Sequence, residues 1–282
     1  MSRGQQDRQN RDRRGGRRRR RDPDAARPLR RPVQSYGDES RRVVYVAAEG
    51  EKTERDYVAL LNKTYGEREK FVLKFSSTRN ESRPTKIVEL AIRSASAPDD
   101  EKWALFDRDA QDNRDADIPR AMRRAAEAGV QVALSHPSFE LWLLLHFQQF
   151  TSQEGGQNDT VMRMLRGHRD AKGFEDYGRG SGDSGKRLDG QRGESLVEKG
   201  KERERTAVRY ARKLVRACPH GGCSGRGLQH TPIPGPGTES YAEWTRRSGH
   251  AENCDPLKRD PSTDVWRLLV QLGIVEDEAA AG

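Results

Sequence analysis

The apolar positions of the chain fall into short runs separated by polar stretches of helical period. Val43, Val44, Tyr45, Val46, Ala47 and Ala48 form one unbroken run that ends at Glu49-Gly50. A run this short and continuous predicts a strand buried on both faces. In "EKTERDYVALLNKTY" the residues Tyr57, Leu60, Leu61 and Thr64 keep helical spacing, and Thr53 stands where a cap belongs. Residues 70–78, "KFVLKFSST", alternate as a strand does. Pro84 opens a helix whose apolar face is Ile87, Val88, Ala91 and Ile92. "KWALFDRD" (102–109) reads as a third strand, and "DIPRAMRRAAEAG" as a helix closed by Gly129. "VQVALSHP" (130–137) reads as a fourth strand, stopped by Pro137. "SFELWLLLHFQQF" (138–150) is apolar nearly all round, which predicts a buried helix.

Strand and helix therefore alternate four times over 43–150. That order predicts an α/β fold with a parallel sheet and helices on its faces. After 150 the texture changes. "EGGQND" and "YGRGSGDSGKRLDGQRG" are rich in Gly, Ser and charge and predict loops. A helix is expected at about 194–217, on the stripe Ala207, Tyr210, Ala211, Leu214 and Val215. Residues 218–261 carry many Gly and Pro and predict a long loop or small insert. "DPSTDVWRLLVQLGIV" predicts a closing helix capped by Asp264 or Thr263. The expected organisation is a tail at 1–42, an α/β domain at 43–150 and a helical, loop-rich extension at 151–282.

Composition changes this picture at one end. The chain has 282 residues, is 34% charged and 32% hydrophobic, and carries a net charge of +9. Residues 1–42 hold 15 Arg, no Lys and six acids, which accounts for the whole of that charge. The tail has almost no large apolar residues, so disorder is expected there. Arg17, Arg18, Arg19, Arg20 and Arg21 form its densest stretch, and guanidinium forks bind phosphate without sequence preference. A solubilising tail is the alternative. No apolar run follows the charges as a signal peptide requires, and no stretch approaches the length of a membrane span. Three cysteines in this length predict a reducing compartment, the cytoplasm, and no disulfide framework.

The candidate chemistry lies where the predicted strands end. Residues two apart on a strand share a face, so Asp107 and Asp109 would sit side by side. Two carboxylates so close repel unless a cation stands between them or one is protonated. Glu49 follows the first strand, and ligands of parallel sheets bind at strand carboxyl ends. An acid there and a D-x-D after the third strand suit Mg²⁺ or Mn²⁺, which take oxygen ligands beside a substrate phosphate. The plain alternative is a strand that stops in a polar loop. Gly50 would permit a sharp turn or the approach of a phosphate. Glu54 would line the site or serve as an ordinary first-turn acid. Glu140 would be a fourth site acid or the partner of an Arg. Arg108 points to the opposite face and is expected to pair there, and His136 and His146 read as structural. Asp112 and Asn113 read as loop residues.

"VVYVAAEGEKTERDYV", "WALFDRDAQDN", "SHPSFELWLLLHF" and "DPSTDVWRLLVQL" together resemble the RloB-like family, whose F-E-L-W-L segment is the most specific of these motifs. The resemblance implies a Toprim-like domain over 43–150. By it, Glu49 maps to the Toprim glutamate, and Asp107 and Asp109 to its metal-binding pair. Relatives occur in bacterial restriction and anti-phage loci. The expected activity is therefore a metal-dependent nuclease acting on DNA, tRNA or another RNA, with a companion ATPase or other defence-system protein as partner. One rival is a non-catalytic nucleic-acid-binding or assembly subunit, which the Arg tail favours. Another is a phosphatase with Asp107 as nucleophile, although "DRDAQ" lacks the Thr that such a run would carry.

A second candidate stands apart. Cys218 and Cys223 are followed, after a long gap, by His250 and Cys254. C-x4-C…H-x3-C is within the range of structural zinc ligands, with His220 and His230 as competing donors. A Gly- and Pro-rich insert without its own core would gain from such a staple. Chance clustering is the alternative.

Overall fold

The computed structural model describes residues 41–78, 83–108, 115–153, 157–179, 185–226 and 233–276. Arg17 to Arg21 of the tail, Asp109, Asp112, Asn113 and His230 lie outside the described residues. The first eight elements follow the expected alternation: β1 (Arg42–Ala48), α1 (Thr53–Tyr65), β2 (Phe71–Ser77), α2 (Pro84–Ser94), β3 (Glu101–Asp107), α3 (Ile118–Glu127), β4 (Val130–His136) and α4 (Phe139–Leu145). Then come α5 (Asp159–Gly167), α6 (Gln191–Leu196), α7 (Arg203–Arg216), α8 (Tyr241–Arg247), β5 (Ser262–Thr263) and α9 (Val265–Gln271).

The sheet runs in the order β2-β1-β3-β4-β5. The first four strands pair in parallel, and β5 lies antiparallel against β4 through Ser135 and Thr263. The fold is α/β with a mixed, mostly parallel sheet. β5 is two residues long, too short for any period to show in the sequence.

Side-chain alternation sends each strand into two cores. Val44, Val46, Ala48, Trp103 and Leu105 pack on one face with α1, α4, α5, α7 and α9. Ala47, Ala104, Phe106, Val132 and Leu134 pack on the other with α2, α3 and α8. Helices on either side of residue 150 thus share the first core. Burial of each large apolar side chain contributes roughly 1.5–3 kcal/mol. Parity then places the ends of the strands. Asp107 falls on the face of α1 and α4, and Arg108 on the face of α3.

The helix expected at 194–217 is two helices. Gly200 and Glu202 adopt positive φ values of 81° and 47°, which breaks the chain between α6 and α7. The insert at 218–261 holds α8, whose Ser240 and Glu243 form a reciprocal capping box. Trp244 of α8 donates its indole N–H to the Val130 carbonyl at 3.1 Å, so the insert docks on the second core. Arg247 of α8 and Arg267 of α9 both donate to Gln131 Oε1, at 2.8 and 2.7 Å. Of the two predicted caps for α9, Asp264 stands at the cap position but uses its carboxylate elsewhere, and Thr263 Oγ1 accepts from Val265 N at 3.4 Å.

The edge strand β2 is covered by a side chain of α1. Asn62 Nδ2 donates to the Leu73 carbonyl at 2.8 Å, and Leu73 N donates to Asn62 Oδ1 at 2.7 Å. The carboxamide imitates a neighbouring strand and blunts the edge. Asn62→Ala leaves both groups without these partners and is expected to lower stability by about 1–3 kcal/mol. Urea unfolding checks this, with a lower midpoint and an unchanged slope as the expected result.

Candidate active site

Glu49, Gly50, Thr53, Glu54, Asp107, Ser138, Phe139, Glu140, Asn158 and Lys186 line one cleft of about 250 Å³. It lies beyond the carboxyl ends of β1 and β3, against the first turns of α1 and α4. Of the predicted site residues, Glu49, Gly50, Glu54, Asp107 and Glu140 come together here. Each arrives by a simple rule. Glu49 is the first residue after β1, and Asp107 is the last of β3. Glu54 and Glu140 stand in the first turns of their helices, where the dipole favours an acid. The N–H of Phe139 donates to Asp107.

Gly50 has a specific reason to lack a side chain. A Cβ there would run into the carboxylate of Glu54, which packs directly against the Gly50 backbone. The glycine leaves room for that carboxylate.

The acids are not equivalent. Glu140 is buried and receives three donors: Lys186 Nζ at 2.9 Å, Asn158 Nδ2 at 3.1 Å and the Tyr177 hydroxyl at 3.3 Å. Burial, the largest single influence, would raise its pKa, but the Lys186 charge together with the hydrogen bonds to the carboxylate holds it below the usual value. Glu140 therefore stays ionised in a fixed pair, with a Lys where an Arg was one expectation. Lys186, whose side chain is half exposed, has its own pKa raised by Glu140.

Glu54 and Asp107 are under strain of the opposite kind. Burial, with the charges of Glu140 and Glu49, raises the Glu54 pKa to about 7. Burial, then Glu54, Glu49 and Glu140, pushes Asp107 well above the ordinary carboxylate range. Excess negative charge in a half-dry cleft is what a divalent cation neutralises. Glu49, Asp107 and Glu54 are the carboxylates of the cleft that could offer oxygens to such an ion.

Tyr177, Asn158 and Lys186 were not singled out in the sequence. They come from the segments around α5 and the loop before α6. Their only signal was indirect: a buried Glu140 needs partners. Thr53 is not a cap. It is the first residue of α1, and its hydroxyl bonds the Tyr177 hydroxyl at 2.7 Å and the Lys186 carbonyl at 3.0 Å. Thr53 thereby ties the loop bearing Lys186 to the cleft wall.

The remaining candidates lie elsewhere. Arg108 leaves on the opposite face, where it holds Asp115 at 2.9 Å and His136 Nε2 at 3.0 Å. His146 is buried in the first core with Nδ1 on the Trp142 carbonyl at 2.9 Å. Cys218, Cys223 and Cys254 gather in a separate cluster, with His250 at its edge.

A family model described as RloB-like protein matches residues 44–272, most of the chain. No curated protein matches the chain, and no solved structure does.

The charge balance of the cleft carries a pH signature. The Glu54 pKa is higher folded than unfolded, so between about pH 4.5 and 7 the unfolded chain loses this proton first. Stability contributed by the protonated form is therefore lost as pH rises through about 7. In chelator-treated protein at pH 8, Glu54→Gln is expected to raise Tm, by about 2–4 °C per kcal/mol of repulsion relieved. At pH 4 the difference should vanish. Differential scanning calorimetry at the two pH values checks this, and a Tm lower than wild type at pH 8 would refute the charge argument.

Proposed function

The chain belongs to the RloB-like family, and from the acidic cleft we propose that it is a Mg²⁺- or Mn²⁺-dependent nuclease of bacterial anti-phage defence, working in the cytoplasm. The observation that carries this is the convergence of Glu49, Glu54, Asp107 and Glu140 on one cleft at strand carboxyl ends, with Lys186 paired to Glu140. The arrangement resembles a Toprim site. Glu49 and Asp107 would hold the metal, and the family resemblance assigns the same role to Asp109, which lies outside the described residues.

A divalent ion bound there would polarise the scissile phosphate and lower the pKa of an attacking water. The chain's own residues divide the other tasks. Glu54, poised near neutrality and backed against Gly50, accepts the proton of the attacking water. Lys186 stands at the cleft mouth with its ammonium set by Glu140, placed to meet a non-bridging phosphate oxygen. Tyr177, Asn158 and Thr53 keep that lysine and its loop in register.

A polyanionic substrate is supported by a second feature. Arg205, Arg209, Arg212 and Arg216 fall on one stripe of α7 and, with Arg226, line a groove of about 210 Å³. Arg205, Arg209, Arg216 and Arg226 are exposed. Guanidiniums in a row suit the phosphates of a nucleic-acid strand. The same groove favours the second reading, a nucleic-acid-binding or assembly subunit without chemistry, and the two separate cleanly.

Total bacterial RNA and plasmid DNA, incubated with Mg²⁺, Mn²⁺ or EDTA, test the first reading. Cleavage should need the metal and fall by about 10²-fold or more in Asp107→Ala. Wild-type cleavage that survives in that variant would exclude this cleft as its source. Arg205→Glu with Arg209→Glu should instead weaken binding and reduce the slope of log K against log salt by about 2. Filter binding over a salt series reads it, and an unchanged slope would remove the groove from the interface.

A further inference from the structure

We propose that Cys218, Cys223, Cys254 and His250 form a structural zinc site that anchors the insert between α7 and β5. The three Sγ atoms lie within 4.8 Å of one another, and Cys218 Sγ is 3.6 Å from Cys254 Sγ. His250 Nδ1 is 3.8 Å from Cys254 Sγ. A tetrahedral ion with Zn–S bonds near 2.3 Å spaces its sulfurs by about 3.8 Å. The three sulfurs are thus at ligand spacing, with His250 at the edge of the cluster, and the four residues come from two distant segments.

The local backbone explains how they meet. α7 ends at Arg216, and Gly221 and Gly222 then take positive φ values of 66° and 72°. Two successive left-handed residues turn the chain sharply, which brings Cys223 back towards Cys218. Gly249, at φ 85°, does the same service before His250. Ala251 N donates to Cys223 Sγ at 3.3 Å, and Cys254 N closes a turn on the Ala251 carbonyl at 2.9 Å.

The surroundings are those of a ligand set. His250 Nε2 bonds Asp264 Oδ1 at 2.9 Å, with both side chains buried. That contact places the ring proton on Nε2 and leaves the Nδ1 lone pair facing the sulfurs, as a carboxylate behind a metal-bound histidine does. Arg259 is buried too. Its Nε donates to Cys254 Sγ at 3.3 Å, and its Nη1 lies 3.4 Å from Asp264 Oδ2. A buried guanidinium directed at sulfur offsets thiolate charge. His220 is a fifth donor, with Nδ1 at 3.0 Å from Cys218 and 3.6 Å from Cys254. We assign the fourth position to His250 because its ring is fixed from behind by Asp264, whereas among the described residues the buried His220 Nε2 has no hydrogen-bond partner.

Among the described residues the cluster has little apolar packing of its own. Its apolar company is Val215 and the partly buried Ala251, far too little for a core. A metal supplies to such a segment what burial cannot.

Elemental analysis of the full chain, expressed with zinc and purified without chelator, should find about one zinc per molecule. Cys223→Ser and Cys254→Ser should each lose it, His250→Ala should lose or loosen it, and His220→Ala should keep it. Should the serine variants fail to fold, cobalt exchange of the wild type stands in their place, with thiolate-to-cobalt absorption bands as the expected result. No stoichiometric metal, zinc retained in Cys254→Ser, or a Cys218–Cys254 disulfide in the purified chain by mass spectrometry would overturn the proposal. None of these readouts depends on nuclease activity, and Asp107→Ala should keep its zinc in full.

Discussion

Glu49, Glu54, Asp107 and Glu140 line one cleft, where partial burial strengthens their mutual repulsion. Much of the surrounding structure answers to that repulsion. One acid, Glu140, is neutralised by Lys186 and locked by Asn158 and Tyr177. The lysine arrives on a loop, so the loop is tied down through Thr53. Gly50 gives up a side chain so that the Glu54 carboxylate can lie against the backbone. What remains is a pair, Glu54 and Asp107, that burial and the neighbouring carboxylates push towards protonation, held in place by a well-packed frame. Buried like charges persist in a folded protein when the frame is stronger than their repulsion or when a cation relieves it. The first core, with Leu61, Trp103, Leu105 and Trp142 fully buried, is that frame.

The two faces of the sheet have separate duties at the strand ends. Because successive residues alternate, Asp107 enters the acidic cleft while Arg108 crosses to the other side. There it meets Asp115 and His136, and His136 Nε2 lies 3.7 Å from Asp260 of the insert. The backbone that carries Asp107 is thus gripped from behind by a network that reaches into 218–261. Arg108 is a neighbour of the site in sequence and a support of it in space.

Much of this was legible in the residues alone. The four strand-helix pairs follow from runs and periods that tertiary packing did not override. Strand parity and the order of elements pointed to Glu49 and Asp107, while Glu54 and Glu140, on helices, stayed open between the site and an ordinary first-turn acid or ion pair. Three things were hidden, each for a physical reason. Lys186, Asn158 and Tyr177 lie in segments with little apolar period, and long-range side-chain contacts have no local signature. β5 is two residues long and is stabilised by its neighbour β4. The break between α6 and α7 depends on Gly200 and Glu202 in left-handed backbone, and the apolar stripe, which begins only at Ala207, does not mark where the helix starts.

The cysteine cluster and the arginine groove are adjacent, and that gives the insert a use beyond filling space. Arg226 follows Cys223 by three residues and faces the α7 stripe across the groove. Gly225, between them, comes so close to α7 that a Cβ would stand 2.8 Å from the Arg212 carbonyl oxygen. A chain segment pressed that tightly against a helix, yet carrying few apolar side chains, needs another constraint to hold it. The cysteine cluster supplies one at the point where the segment leaves α7. Through Asp264 the same cluster reaches the start of α9, and through the neighbouring Asp260 it reaches His136 behind the acidic cleft. A single staple in the insert would then brace both the wall of the basic groove and the back of the strand that bears Asp107.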